Sequence, residues 1–361
     1  MKQFADVYRG KRVLVTGHTG FKGSWLSLWL NQLGAEVVGI SLAPETQPNH
    51  WGLLRLESTV QHHELDIRQA AEVARVSKAS QPEVVFHLAA QPLVRRSYRD
   101  PLETWSTNVM GTANVLEACR QTRSVRAILA VTTDKCYLNQ EWAWGYRETD
   151  RLGGHDPYSA SKAGAELVAA SYRSAFFHTQ DAPLLATARA GNVIGGGDWS
   201  EDRLIPDLVR AMAARQSLEI RSPNATRPWQ HVLESLSGYL LLGQKLIEGD
   251  KNFDGAWNFG PERSGNRTVA DILNRLQTHL PEMHWHQTAA HQPHEANLLY
   301  LDSAKAYAQL GWQPVWDLDT TLEKTADWYR TFQRSQTAIS TQQLAQYVEA
   351  AQNAQVGWVS A

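Results

Sequence analysis

RVLVTGHTGFKGSW, residues 12–25, is the stretch that decides the fold. Its first five residues are an apolar, β-branched run of strand type. Three glycines follow at a spacing of three, and an apolar helical stretch, residues 24–33, begins at once and stops at Gly34. Glycine permits a tight turn and a close approach of backbone to a pyrophosphate, whose charge then rests on free N–H groups at the helix start. The spacing is G-x-x-G-x-x-G rather than G-x-G-x-x-G, and an ordinary glycine-rich turn has the same composition. The strand before it and the helix after it favour a dinucleotide.

Outward from this unit, short apolar runs at 36–40, 60–64, 83–87, 126–132 and 184–190 alternate with amphipathic stretches at 108–120 and 159–177. That rhythm predicts an α/β fold of Rossmann type, a doubly wound parallel sheet covered on both faces. After Gly191 the rhythm changes to a glycine cluster, a helix near 205–215 and loops bearing Arg and Pro. The reading places the dinucleotide-binding domain at 1–190, with a return to the sheet at 228–260. A smaller, mostly helical substrate-binding domain takes 191–227 and 261–334. Residues 335–361, rich in Gln and Ala, read as a C-terminal tail, either a surface helix or disordered.

The chain has 361 residues, 35 basic against 37 acidic side chains and a net charge of −2, which offers no bulk attraction to nucleic acid. Two cysteines, Cys119 and Cys136, form neither a disulfide framework nor a Cys-x-x-Cys pair, so a reducing, cytoplasmic compartment is expected. The polar start resembles no signal peptide, and no apolar run approaches the roughly 20 residues of a membrane span. His284, His286, His291 and His294 match no zinc spacing, and no metal is expected.

Two clusters carry chemistry. Thr133, Asp134 and Lys135 stand at the end of the 126–132 strand, where open α/β sheets bind ligands. Tyr158 and Lys162 lie one helical turn apart on one face, and a lysine beside a tyrosine favours the phenolate. A carboxylate that would hold an adenosine ribose is absent after the second strand, where Ser41 stands. Asp66 could sit near the adenine or open a helix as its N-cap.

GHTGFKG, HLAAQ (87–91), TNVMGT (107–112), TTDKCY, YSASK and ARAGNVIGGGDW (188–199) together resemble the extended short-chain dehydrogenase/reductase family. RLIP (203–206) and RPWQHV (227–232) make it similar to the nucleotide-sugar 4,6-dehydratases, and more narrowly to the branch acting on CDP-glucose. The resemblance covers about residues 10–330. It implies a lyase with NAD as cofactor, held by Gly17, Thr19, Gly20, Phe21, Lys22 and Gly23 of the loop. Asp66, Ile67, Leu88, Ala89, Gln91 and Asn108 complete that cofactor set with Tyr158 and Lys162. It further implies a Thr133–Tyr158–Lys162 redox triad that oxidises C4 of the sugar. Water then leaves across C5 and C6, with Asp134 as acid, and hydride returns to C6.

Lys135 stands where dTDP-glucose relatives have a glutamate base. It either acts as a neutral base or stays charged and stabilises the enolate. Arg203, Arg221 and Arg227 of the second domain offer forked guanidinium groups to diphosphate oxygens. The resemblance implies Asn192, Leu204 and Arg227 as substrate contacts and a homodimer, and Ala296 and Asn297 replace basic residues of relatives. The product would feed deoxysugar synthesis of the O-antigen type. A nucleotide-sugar 4-epimerase would share the triad without needing the Asp134–Lys135 pair. A non-catalytic NAD(P)-sensing regulator would need neither.

Overall fold

In the computed structural model, residues 2–288 and 298–360 are described, and seven parallel strands form the central sheet. Five come from the first half: β1 (Arg12–Thr16), β2 (Glu36–Ser41), β3 (Val60–Glu64), β4 (Val84–His87) and β5 (Ala127–Val131). β6 (Leu184–Ala190) follows, and the order across the sheet is β3-β2-β1-β4-β5-β6, with Gly255–Phe259 as a seventh strand beside β6. Strand order reverses between β1 and β4, which makes the crevice above their carboxyl ends the ligand-binding position.

Both alternations of β1, β2, β4, β5 and β6 are buried, while β3 at the sheet edge is largely exposed. Val13, Val15, Phe86 and Leu129 pack with Trp25, Leu26 and Trp29 of α1 (Phe21–Gln32). On the other face Leu14, Val85, Ile128 and Leu185 meet Val73 and Val76 of α2 (Ala70–Ser80) and Val115 and Leu116 of α3 (Gly111–Gln121). This double burial accounts for strands without polar alternation. Helix α4 (Pro157–Ala175) is capped by Asp156, whose side chain accepts from Ser159 N, and starts with proline at its first position.

The return to the sheet is narrower than residues 228–260. Residues Thr226–His231 form β8, which pairs with β7 (Asn192–Ile194) and with β10 (Asn266–Thr268) in a separate three-stranded sheet. The helix α6 (Val232–Ile247) follows, and only β9 (Gly255–Phe259) rejoins the main sheet. Nearly every residue of α6 is buried, which is the pattern of a helix enclosed by core rather than of a strand. Between β7 and β8 lies α5 (Leu204–Ala213). Residues 196 and 197 need glycine for packing, because a Cβ at Gly196 would lie 1.9 Å from the Trp328 ring and one at Gly197 2.3 Å from the His50 ring.

The C-terminal stretch is no loose tail. After α7 (Leu318–Ser335), helix α8 (Ser340–Asn353) buries Leu344, Tyr347, Val348 and Ala351, an i, i+3, i+4, i+7 stripe that the Gln- and Ala-rich composition masks. Trp358 stacks on Phe4 at 4.9 Å, and Val359–Ser360 pairs antiparallel with Lys2–Gln3.

Candidate active site

The turn after β1 is built for close approach of an anion. Gly17 has φ +75, and a Cβ there would lie 2.7 Å from Ala89 N; one at Gly23 would lie 2.0 Å from Gly17 O. Gly20 is the N-cap of α1, and among the described residues no side chain caps that helix start. This cradle fits the pyrophosphate of a dinucleotide. Thr19 Oγ1 and Ser41 Oγ share a hydrogen bond of 2.7 Å, which ties the loop to the end of β2. Leu88 and Ala89 cross over Gly17 at the end of β4, and Ala89 N donates to Thr16 Oγ1 at 3.2 Å.

His18 turns away from this cradle: its ring lies against Gly39, and its Nε2 is 2.8 Å from His62 Nδ1. Lys22 points the other way, with Nζ 3.3 Å from the Tyr239 hydroxyl. Burial, then the charge of Arg203, pulls the Lys22 pKa down to about 7 against the pull of Asp134, with Lys162 and Lys135 adding to the fall. Asp66 is not a helix cap. The N-cap of α2 is Gln69, and Asp66 instead accepts from Arg68 N at 2.9 Å and Nε at 2.8 Å. Ile67 is buried against Gly111. Asn108 lies in a π-helical turn, where Oδ1 accepts from Gln91 N at 2.8 Å and Nδ2 donates to Ser161 Oγ at 2.9 Å.

At the end of β5 the expected cluster is assembled. Thr133 Oγ1 donates to Asp134 Oδ1 at 2.9 Å, and Lys135 Nζ donates to the same oxygen at 3.1 Å. Lys135 Nζ also reaches Asn192 Oδ1 at 3.4 Å. Asp134 is fully buried, and its Oδ2 accepts nothing from the described residues. Tyr158 is buried, which pushes its pKa up to about 12, while the Thr133 side chain and the charge of Arg203 oppose that rise. Lys162 Nζ donates to Val131 O at 3.1 Å, and burial lowers its pKa to about 8 against the charge of Glu166.

The second-domain candidates divide. Leu204 opens α5, directly after Arg203, which lies 3.7 Å from Asp198 and close enough to the crevice for its charge to act on Tyr158 and Lys22. Arg221 lies 3.7 Å from Asp202. Arg227 is buried, and its Nη1 donates to Thr226 O at 2.8 Å. Ala296, Asn297, His291 and His294 lie outside the described residues.

Sequence reasoning missed a layer beneath the site. Glu166, one turn after Lys162, is bound by Arg189 through Nε at 2.9 Å and Nη2 at 2.8 Å. Its spacing in Tyr158-x-x-x-Lys162-x-x-x-Glu166 was available as a signal, because all three share a helix face. Arg189 and Tyr239 gave no such signal, since both reach the site from elements distant in the chain.

The sequence profile of the GDP-mannose 4,6 dehydratase family matches residues 14–325. The chain belongs to this family. Among its relatives, CDP-glucose 4,6-dehydratase of Salmonella typhimurium is 47% identical over 352 residues, 96% of this chain and 98% of that one. The dTDP-glucose 4,6-dehydratase of Xanthomonas campestris is 28% identical over 89% of this chain and 93% of its own. The dehydratase fold is shared with UDP-glucose 4-epimerase of Thermotoga maritima, at a TM-score of 0.77 and 21% identity over 89% of this chain and 99% of that one. It is shared as well with dTDP-glucose 4,6-dehydratase of Streptomyces venezuelae, solved with NAD bound, at a TM-score of 0.75 and 24% identity over 88% and 97% of the two chains.

Proposed function

We propose that this family member dehydrates CDP-glucose to its 4-keto-6-deoxy product with NAD as cofactor. The near full-length identity to a CDP-glucose 4,6-dehydratase carries this reading, and the Asp134–Lys135 pair beside Tyr158 and Lys162 supports it. A 4-epimerase, whose fold this chain also shares, needs only the redox part.

When bound in the glycine cradle, NAD supplies a hydride acceptor for C4 and later a donor for C6. Gly17, Thr19, Gly20, Phe21, Lys22 and Gly23 are its proposed loop contacts, with Leu88, Ala89, Gln91 and Asn108 lining the end of β4. Asp66 and Ile67 are assigned to the adenosine end. Tyr158 takes the proton of the sugar 4-hydroxyl, as a phenolate favoured by the Lys162 ammonium and the Thr133 hydroxyl. The resulting ketone acidifies the C5 proton. Lys135 and Asp134 share a contact of 3.1 Å, across which one proton can pass from ammonium to carboxylate. That transfer creates a neutral amine to remove the C5 proton and a carboxylic acid to protonate the departing C6 hydroxyl. Asp134 Oδ1, the oxygen that receives the proton from Lys135, is the one assigned to the C6 hydroxyl.

Asn192, Arg203, Leu204, Arg221 and Arg227 are assigned to the nucleotide and sugar, the forked guanidinium groups to diphosphate oxygens. The exposed Leu102, Trp105, Met110 and Leu167, on the 101–110 segment and α4, suit a homodimer face. No helix among the described residues is long and apolar enough to cross a membrane, and the cytoplasm is the proposed compartment. Deoxysugar synthesis of the O-antigen type is the proposed destination of the product.

The test is mass spectrometry of CDP-glucose and dTDP-glucose after separate incubation with protein and NAD. Loss of one water from the CDP sugar alone, abolished in Tyr158→Phe, is expected. An unchanged CDP-glucose mass would overturn the proposal.

A further inference from the structure

The redox triad stands on a buried ion pair that the reaction scheme does not use. Glu166 and Arg189 are each 4% exposed in their side chains and joined by two parallel bonds. The same carboxylate accepts from Thr132 Oγ1 at 2.5 Å and Thr187 Oγ1 at 2.8 Å. Four donors on one buried carboxylate is more than an ion pair needs for satisfaction, and their origins matter. Thr132 lies between Val131, whose carbonyl accepts Lys162 Nζ, and Thr133, whose side chain faces Tyr158. Thr187 and Arg189 belong to β6, and Glu166 to α4. One carboxylate therefore ties the end of β5 and the helix α4, which carry the triad, to the neighbouring strand β6.

The network continues away from the triad. Arg189 Nη1 donates to Tyr137 Oη at 2.7 Å, and Tyr137 Oη donates to Asn258 Oδ1 at 2.8 Å. Asn258 Nδ2 then donates to the carbonyls of Tyr146 and Asp302.

Lys162 is enclosed by groups of both signs. Cys136 lies on the strand-end turn, His87 on β4, Lys22 on α1, and Glu166 one turn along its own helix. Burial works against its positive charge, and Glu166 is the foremost group working for it. A neutral Lys162 would withdraw the cation beside the Tyr158 phenolate.

We propose that Glu166, fixed by Arg189, is a positioning residue of the redox site, the counter-charge of Lys162 and the strut that sets Thr133 against Tyr158. This rests on the dehydratase reading above. Glu166 touches no reacting atom, and it acts through Lys162 and Thr132.

The experiment is NMR titration of ¹³C-lysine protein, with the Lys162 Cε resonance assigned by its loss in Lys162→Met. In Glu166→Gln the Lys162 midpoint falls by about one pH unit, because an anion is removed and a buried cation is left unpaired. kcat for CDP-glucose dehydration falls at least tenfold with KM little changed, and Glu166→Asp restores part of both. Should Glu166→Gln fail to fold, the double variant Glu166→Gln/Arg189→Met removes the unpaired cation, and its Lys162 midpoint still falls. A Lys162 midpoint unchanged in whichever variant folds, whatever happens to kcat, refutes the proposal and leaves Glu166 a packing group. If the unaltered protein does not dehydrate CDP-glucose, the functional reading fails, while the midpoint shift still decides the role of Glu166 as counter-charge.

Discussion

Four buried histidines make the fold acid-sensitive in a calculable way. His50 bridges Ser24 and Ser340 at 2.7 Å each, and His87 bridges Thr16 and Thr112 at 2.7 and 2.9 Å. His18 pairs with His62, and His231 Nδ1 accepts from Leu233 N as a helix cap. Burial above all holds each of the four pKa values down to about 3 from an ordinary 6.5. A histidine depressed in the fold contributes stability above its unfolded pKa and loses it as pH falls. Between pH 7.5 and 5.5 the unfolded chain takes up protons that the fold refuses, which costs about 1.4 kcal/mol per histidine and about 6 for the four.

Glu234 works in the opposite sense. Burial raises its pKa to about 7 from 4.5, although Trp316 N, Tyr347 Oη and Val315 N all donate to it. Protonation of Glu234 in the fold over the same interval returns about 2 kcal/mol, while Lys22, held at about 7 in the fold, adds about 1 kcal/mol of loss. The net loss is about 5 kcal/mol against the 5–15 typical of a native protein. Urea unfolding followed by tryptophan fluorescence measures it directly. His231→Asn keeps a cap acceptor and reduces the acid loss by about 1.4 kcal/mol. A loss below about 1 kcal/mol between the two pH values in the parent protein would refute the reasoning.

Three further outcomes are expected. Trp358→Ala removes a ring that is 2% exposed and stacked on Phe4, and destabilises the protein by about 4 kcal/mol in the same urea assay. Gly23→Ala places a Cβ 2.0 Å from Gly17 O, so NAD affinity, read by fluorescence titration, drops at least tenfold. Lys135→Arg keeps the charge but not an accessible neutral amine, so exchange of the sugar C5 proton with solvent deuterium is lost; retained exchange would assign Lys135 an electrostatic role instead.

The sheet and its cradle were legible because both depend on local signals. β3 and β6 have the bounds read from sequence, and Gly17, Gly20 and Gly23 line the turn and the first turn of α1 that their spacing suggested. The Tyr158–Lys162 face followed from helical periodicity alone. What stayed hidden depends on contacts distant in the chain. Residues 229–243 are as apolar as a returning strand, and only enclosure by core decides that most of them form α6. The C-terminal segment has few apolar residues, yet Tyr347 of its stripe meets Trp29 and Trp358 beyond it stacks on Phe4, both near the other end of the chain. The Glu166–Arg189 pair and the Lys22–Tyr239 contact likewise join elements that no sequence window contains.

The most direct measurement of the central claim uses CDP-glucose carrying deuterium at C4, incubated with the protein and NAD and followed by mass spectrometry and NMR of the product. A product lighter by one water, with deuterium in its C6 methyl group, is the predicted result, since hydride taken from C4 returns to C6 of the same sugar. A sugar nucleotide of unchanged mass with deuterium still at C4 would contradict the account.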